Sequence, residues 1–202
     1  MPKIKLTKSE LKKQRDSLKQ FLRFLPTLQL KKQQLQLETR KSQERIALNT
    51  EKEVKFKSSI ASWIDMFGSQ TEIDQLVKLV KIKSVDVEIV NIAGVDIPSY
   101  NNTIFEVDEY NLAATPAWWD DAICAIMSII EIREERKILV KQFELISIEL
   151  QTTTQRVNLF EKVKIPECKE NIKKIQIYLG DQQTTAVGRS KIAKKKLAEA
   201  YQ

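Results

Sequence analysis

The stretch LVKQFELISIELQTTTQRVNLF (residues 139–160) decides how this chain folds. Leu139, Phe143, Ile146, Leu150, Thr153, Val157 and Phe160 step by four and three without a break. An α-helix turns about once every 3.6 residues, so these steps place all seven side chains on one flank. A stripe held at that spacing over several turns is a coiled-coil seam, and it needs a second helix to cover it. Before it, Trp119, Ile123, Ile126 and Ile130 keep the same steps. Thr115-Pro116 supplies an N-cap and a first helical residue whose missing N–H costs nothing there. Asp120 and Asp121 follow in the early turns, where the helix dipole favours acid. Beyond Phe160 the register slips near Pro166 and resumes at Cys168, Ile172, Ile175 and Leu179. Gly180 and Gly188, with Thr184 and Thr185 between them, weaken the last stretch, since each glycine costs about 1 kcal/mol against alanine in a helix.

The covering stripe lies at the other end of the chain. Thr7-Lys8-Ser9-Glu10 is a capping box, and Leu6 and Leu11 sit where a hydrophobic staple would close it. Leu11, Leu18, Leu22, Leu25 and Leu28 then recur by seven, four, three and three. Pro26 removes a backbone bond at a cost of about 3 kcal/mol. A kink near residues 22–26 is expected, not a stop, because Leu28 and Leu35 carry the stripe on. Residues 36–53 are polar and weakly patterned. Phe56, Ile60, Trp63 and Phe67 restore the period, and Gly68 falls where a C′ residue belongs. One helix over residues 7–67 is predicted.

The period changes between the two stripes. Ser69-Gln70-Thr71-Glu72 is a second capping box, and Ile73, Leu76, Val77 and Val80 give one face of a short helix ending near residue 81. Val85, Val87 and Ile89 then alternate with Asp86 and Glu88, the two-residue repeat of a strand. Ala93-Gly94 and Pro98 to Asn102 have turn composition, and Ile104 and Val107 lie in a short second extended run. A hairpin of roughly 25 residues follows, which must lean on a helix or a partner because a lone hairpin is marginal in water. Trp118 and Trp119 are expected to lock it to the following helix. The predicted fold is mainly α. The N- and C-terminal helices form a long antiparallel two-helix coiled coil, and a small middle region holds a short helix and a β-hairpin. The boundaries are 1–67, 68–115 and 116–202. Leu18, Leu22 and Leu25 are expected to line the seam with Leu139, Phe143, Ile146, Leu150, Val157 and Phe160.

Composition removes most chemistry. Among 202 residues there is no histidine, so Ser-His-Asp and Cys-His catalysis and His-bound metal are excluded. Four glycines in no GxxxxGK[ST] or GxGxxG arrangement supply no phosphate loop. Cys124 and Cys168 lack CxxC spacing, and two thiols suit a reducing compartment. No apolar run is long enough to span a membrane, and MPKIKLTKSELKK lacks the apolar core of a secretory signal, so a soluble intracellular protein is expected. No acid, base and nucleophile converge, and an enzyme is the least favoured class.

Charge is unevenly spread. Residues 1–60 carry 16 basic and 6 acidic side chains, residues 61–130 carry 3 and 11, and residues 131–202 carry 15 and 10, for a net +7. Basic arms flank an acidic middle. They are read first as solvated helix faces, because nucleic-acid readers interleave aromatics or glycine with their basic residues and these arms mostly do not. A paired-helix rod without a pocket points to bridging, scaffolding or mechanics. The seam can close within one chain or between two, so a homodimeric coiled-coil scaffold or adaptor is the competing function, with nucleic-acid binding third.

Three segments carry a resemblance. LTKSELKKQRDSLKQFLRFLPTLQLKKQQLQLE (6–38) resembles the first helix of the D subunit of V-type and archaeal-type (V/A) rotary ATPases. NIAGVDIPSY (91–100) resembles that family's Asn-hydrophobic-x-Gly-Val-x-x-Pro pattern. RVNLFEKVKIPECKENIKKIQIYL (156–179) resembles its Arg-Val-Asn-x-x-Glu-x-x-x-Ile-Pro run, the most specific of the three. GDQQTTAVGRSKIAKKK (180–196) departs from the charged, aromatic-bearing end of many members and is similar to a bacterial subset.

The resemblance implies a central rotor shaft that binds no nucleotide or other cofactor and couples ATP hydrolysis or synthesis to proton or sodium translocation. The implied partners are the hexamer of A and B subunits, the F subunit of the stalk and the funnel subunit above the membrane ring, at the cytoplasmic face and without membrane insertion. Val87, Ile89 and Ile97 become candidate contacts for the stalk partner. Gly188, Arg189, Lys191, Lys194, Lys195 and Lys196 become candidate contacts in the hexamer bore. The small residues from Gly180 to Gly188 read equally as a slim tip or as a frayed tail.

Overall fold

A computed structural model describes residues 4–64, 76–111, 115–116 and 118–200, and they are mainly helical. Helix α1 runs Lys8–Ile64 and passes through Pro26 without a break. Its start is capped by half of the expected box. The Glu10 N–H donates to Thr7 Oγ1 at 3.3 Å, while the Glu10 carboxylate accepts from Gln14 Nε2 at 3.0 Å instead of returning to the cap. The expected end at Phe67 and Gly68, and the second capping box, lie outside the described residues.

Residues 76–79 are helical, and Val80 already opens a strand, so the short helix ends before residue 81. Strands β1 (Val80–Ile92) and β2 (Val95–Val107) form an antiparallel hairpin. Both are longer than the sequence suggested. Only Ala93 and Gly94 turn the chain, with φ of 52° and 77°. Two left-handed residues match the twist of the flanking strands, as in a type I′ turn. Asn91 braces the corner by accepting from the Gly94 N–H at 3.1 Å and donating to Asp96 at 2.6 Å. Pro98 to Asn102, expected as a turn, lie inside β2. Pro98 is tolerated there because each strand of a two-stranded ribbon has a free edge where no N–H is required. A register shift opposite Asp86 and Val87 leaves Asn101 without a cross-strand partner, which is a β-bulge.

Helix α2 spans Trp119–Asn158, a six-residue π-helical turn covers Leu159–Lys164, and helix α3 covers Ile165–Ala200. The first of these starts later than Thr115-Pro116 implied. The Thr115 hydroxyl donates to the Asn111 carbonyl at 3.1 Å and is spent on the preceding loop, while the Trp119 N–H reaches Pro116 at 3.1 Å. The register slip expected near Pro166 takes the form of the π turn just before it, where the Ile165 N–H donates to the Phe160 carbonyl. The helix continues through the glycines to Ala200.

The chain forms two compact units, one of residues 1–32 with 152–202 and one of residues 33–151. In the second unit α1 and α2 run antiparallel: Leu35 shares a core cluster with Ile146, Asn49 bonds Glu135, and Glu53 meets Arg133 and Arg136. In the first unit the Phe21 and Phe160 rings lie 5.0 Å apart, and Gln14 and Ser17 share a groove with Cys168 and Asn171, again antiparallel. Each pairing is made within one chain.

Candidate functional site

The described residues present three features from which a role can be built: the middle of the seam, the hairpin, and the end of α3. The seam comes first because it positions the hairpin. Ile146, Leu139 and Val157 are buried, and Phe143, Leu150, Phe160, Leu18 and Leu25 are half-buried. Leu22 is 49% exposed, a correction to the expected seam, and Phe21 takes that turn of the helix against Phe160. The polar stretch after residue 36 keeps the four-and-three rhythm with unexpected members. Ser42, Asn49 and Glu53 are buried at 2%, 2% and 5% exposure.

Glu53 is the charged centre of this part. Its carboxylate meets Lys57 at 2.8 Å on its own helix, and Arg136 at 2.5 Å and Arg133 at 3.3 Å across the seam. The bond from Lys57 and then those from the two arginines hold its pKa at about 2, against the opposing push of burial. One turn away Asn49 donates to Glu135 at 2.7 Å. Polar side chains paired in this way match at only one stagger of the two helices, a registry role known for buried polar groups in coiled coils.

The hairpin is held by β2. Ile97 is 3% exposed and packs with Leu35 and Ile146, with Ile92, Ala93, Val95, Leu145 and Leu150 around them. That removes Ile97 from the candidate partner contacts, because it is the peg that fastens the hairpin to its own helices. Gln142 is buried and its amide donates to the Pro98 carbonyl. The Tyr100 hydroxyl lies 2.9 Å from Thr103 and donates to Glu131 at 3.3 Å, and burial raises its pKa. At the open end of the ribbon, Trp119 joins Leu76, Val80, Ala122 and Ile123 in a second cluster, with Trp118, Phe105 and Tyr110 against it. The tryptophans therefore lock hairpin to helix, as expected. Val87 and Ile89 remain outside these cores at 39% and 73% exposure, and Ile82, Val90 and Ile104 are also exposed.

The end of α3 is bare. Every residue from 181 to 199 is exposed, including Arg189, Lys191, Lys194, Lys195 and Lys196, and Gly188 stands among them. A Cβ built on Gly180 or Gly188 meets nothing within 4 Å. The turns are reinforced locally: the hydroxyls of Thr184, Thr185 and Ser190 donate to carbonyls four residues back. Among the described residues no helix is long and apolar enough to cross a membrane.

Known proteins are similar in sequence to this one over nearly the whole chain. The family profile for the ATP synthase D subunit matches residues 10–195. The V-type ATP synthase D subunit of Borreliella burgdorferi is 48% identical, covering 98% of this chain and 96% of that relative. Proteins of the same name from Chlamydia pneumoniae and Chlamydia abortus are 32% and 31% identical, over 96% and 97% of this chain and 93% and 94% of theirs. A profile match from the first turns of α1 to the basic end of α3, joined by relatives of matching length, means that this chain belongs to the family of ATP synthase D subunits.

Proposed function

We propose that this chain is the turning shaft through which a V/A-type rotary ATPase couples ATP hydrolysis or synthesis in its catalytic hexamer to proton or sodium movement through its membrane ring. The family is that of the non-catalytic central-stalk component, and the chain is part of such a membrane-associated complex. On this reading the bare end of α3 enters the bore of the A and B hexamer at the cytoplasmic face. Gly188, Arg189, Lys191, Lys194, Lys195 and Lys196 face its wall, and their charge draws them toward acidic groups there. Val87 and Ile89, exposed on a hairpin that Ile97 fastens to its own helices, receive the F subunit of the stalk. The funnel subunit seats the chain above the ring.

The observation that carries this reading is the continuation of helix through residues 181–199 with no side chain buried. A helix that gains nothing from its own chain is suited to a sleeve supplied by others. The test uses the complex from the native cell. An affinity tag on this chain should recover the hexamer. Removing residues 181–202 should abolish ATP-driven ion transport while the F subunit stays bound. Val87→Asp with Ile89→Asp should release the F subunit and leave the hexamer attached. Recovery of the tagged chain without any hexamer would refute the role.

A further inference from the structure

The rhythm of the C-terminal seam breaks once. Val157 is buried and Phe160 half-buried. Continued steps of four and three would next bring in Lys164, Glu167, Asn171, Lys174 and Tyr178. The residues turned inward are instead Ile165, Cys168 and Ile175, which are buried, and Ile172 and Leu179, which are half-buried. Each lies one position later than the count requires, although Asn171 is buried as well. In an unbroken α-helix one surplus residue rotates everything beyond it by about 100°. Cys168 and Ile175 would swing out of the seam.

The six-residue π turn lies inside this gap. A π turn bonds each N–H to the fifth carbonyl back, so it holds one residue more than an α turn. The Ile165 N–H makes this bond to Phe160, and residues 160 and 165 are both turned inward. We propose that Leu159–Lys164 is a phase-correcting insert. It houses one residue surplus to the heptad count, keeps Cys168 on the groove it shares with Gln14, Ser17 and Phe21, and is pinned by Pro166. The proline acts by sterics. In a regular α-helix its ring would strike the Lys162 carbonyl, which would also lose its donor. A widened turn immediately before the proline gives the ring room, although Pro166 still donates no bond. Without the ring, the extra residue could be housed at neighbouring positions by exchanging one backbone bond for another. Leu159 and Val163 are 44% and 49% exposed, so the turn contributes little to the core.

The experiment uses the full chain with Cys124→Ser and Ser17→Cys, oxidised with copper phenanthroline, and scores the disulfide to Cys168 on a non-reducing gel. In the Pro166→Ala background, where no ring opposes a regular helix, deleting Val163 should leave the thermal midpoint unchanged, because the π turn relaxes to α and the heptad count becomes regular. Deleting exposed Lys173 should lower the midpoint, because no turn there absorbs the change of phase. Pro166→Ala should lower the cross-link yield, and deleting Val163 from that variant should restore it. The insert is refuted if, in the Pro166→Ala background, loss of Val163 lowers the midpoint as far as loss of Lys173, a comparison that needs no cross-link. The pinning is refuted if Pro166→Ala leaves the yield unchanged.

Discussion

Glu53 on α1 and Arg136 on α2 approach to 2.5 Å across the helix pair, and Arg133 adds a second contact to the same carboxylate at 3.3 Å. The acid is 5% exposed, at a position where a coiled coil ordinarily holds an apolar side chain. Its pairing is thus part of the fold and not a surface ornament.

A pH dependence follows from this contact. The Glu53 pKa is lowered from 4.5 to about 2 in the folded chain, first by Lys57 and then by the arginines. Between those values the unfolded chain binds the extra proton, so stability rises with pH through that window. The contribution is complete above the unfolded value and is lost as pH falls toward the folded one. Glu53→Gln should therefore be less stable than wild type at neutral pH, and the gap in denaturation midpoint should close on acidification. An equal gap at neutral and strongly acid pH would contradict the assignment.

Seam positions should separate sharply by burial. Ile146 is 1% exposed, and Ile146→Ala should cost about 2–5 kcal/mol, the range for truncating a buried aliphatic side chain. Leu22→Ala, at a half-exposed site, should stay within about 0.5 kcal/mol. Urea titrations of the two variants decide this, and equal losses would mean that the seam is wrongly placed.

Gly180 and Gly188 both sit in helix with open space around the missing Cβ. Changing both to alanine should stabilise the end of α3 by about 1 kcal/mol per site, through helix propensity alone. Far-ultraviolet circular dichroism should then show greater helicity on heating than in the parent chain. No change would place another constraint on these turns.

Ala93 carries a left-handed backbone that L residues adopt at a cost, and asparagine bears it more easily. Ala93→Asn should strengthen the hairpin by up to about 1 kcal/mol. Gly94→Val should weaken it by more than that, because φ there is 77° and a branched side chain opposes it. Amide exchange along β1 and β2 reads both effects, with slower exchange expected for the first variant and faster for the second.

The elements legible in the sequence were those announced by apolar spacing. Leu139 to Phe160 defined one helix and Leu11 to Leu28 another, and the alternation from Val85 to Ile89 defined a strand. Ser42, Asn49 and Glu53 escaped because apolar periodicity passes over polar side chains. Their own steps of seven and four, continued by Phe56 and Ile60, were the signal. Leu22 was preferred to Phe21 because leucines already marked the rhythm, although the adjacent phenylalanine lies nearer the stripe. Pro98 to Asn102 had the composition of a turn, but composition does not reveal a proline accommodated in an edge strand. Ile97 looked available because alternation separates the two faces of a strand without telling which one the helices cover. Thr115 had the chemistry of a cap, and a competing carbonyl on Asn111 took its hydroxyl.

The buried acid also bears on copy number. Two chains zipped in parallel and in step through their first helices would set one Glu53 carboxylate against its twin, with neither arginine between them. Like charges at such range oppose each other strongly away from water. Closing the helix onto its own chain satisfies the acid, whereas that parallel pairing leaves it repelled. That parallel pairing is thereby disfavoured against self-closure, which leaves Val87, Ile89 and the basic end of α3 exposed.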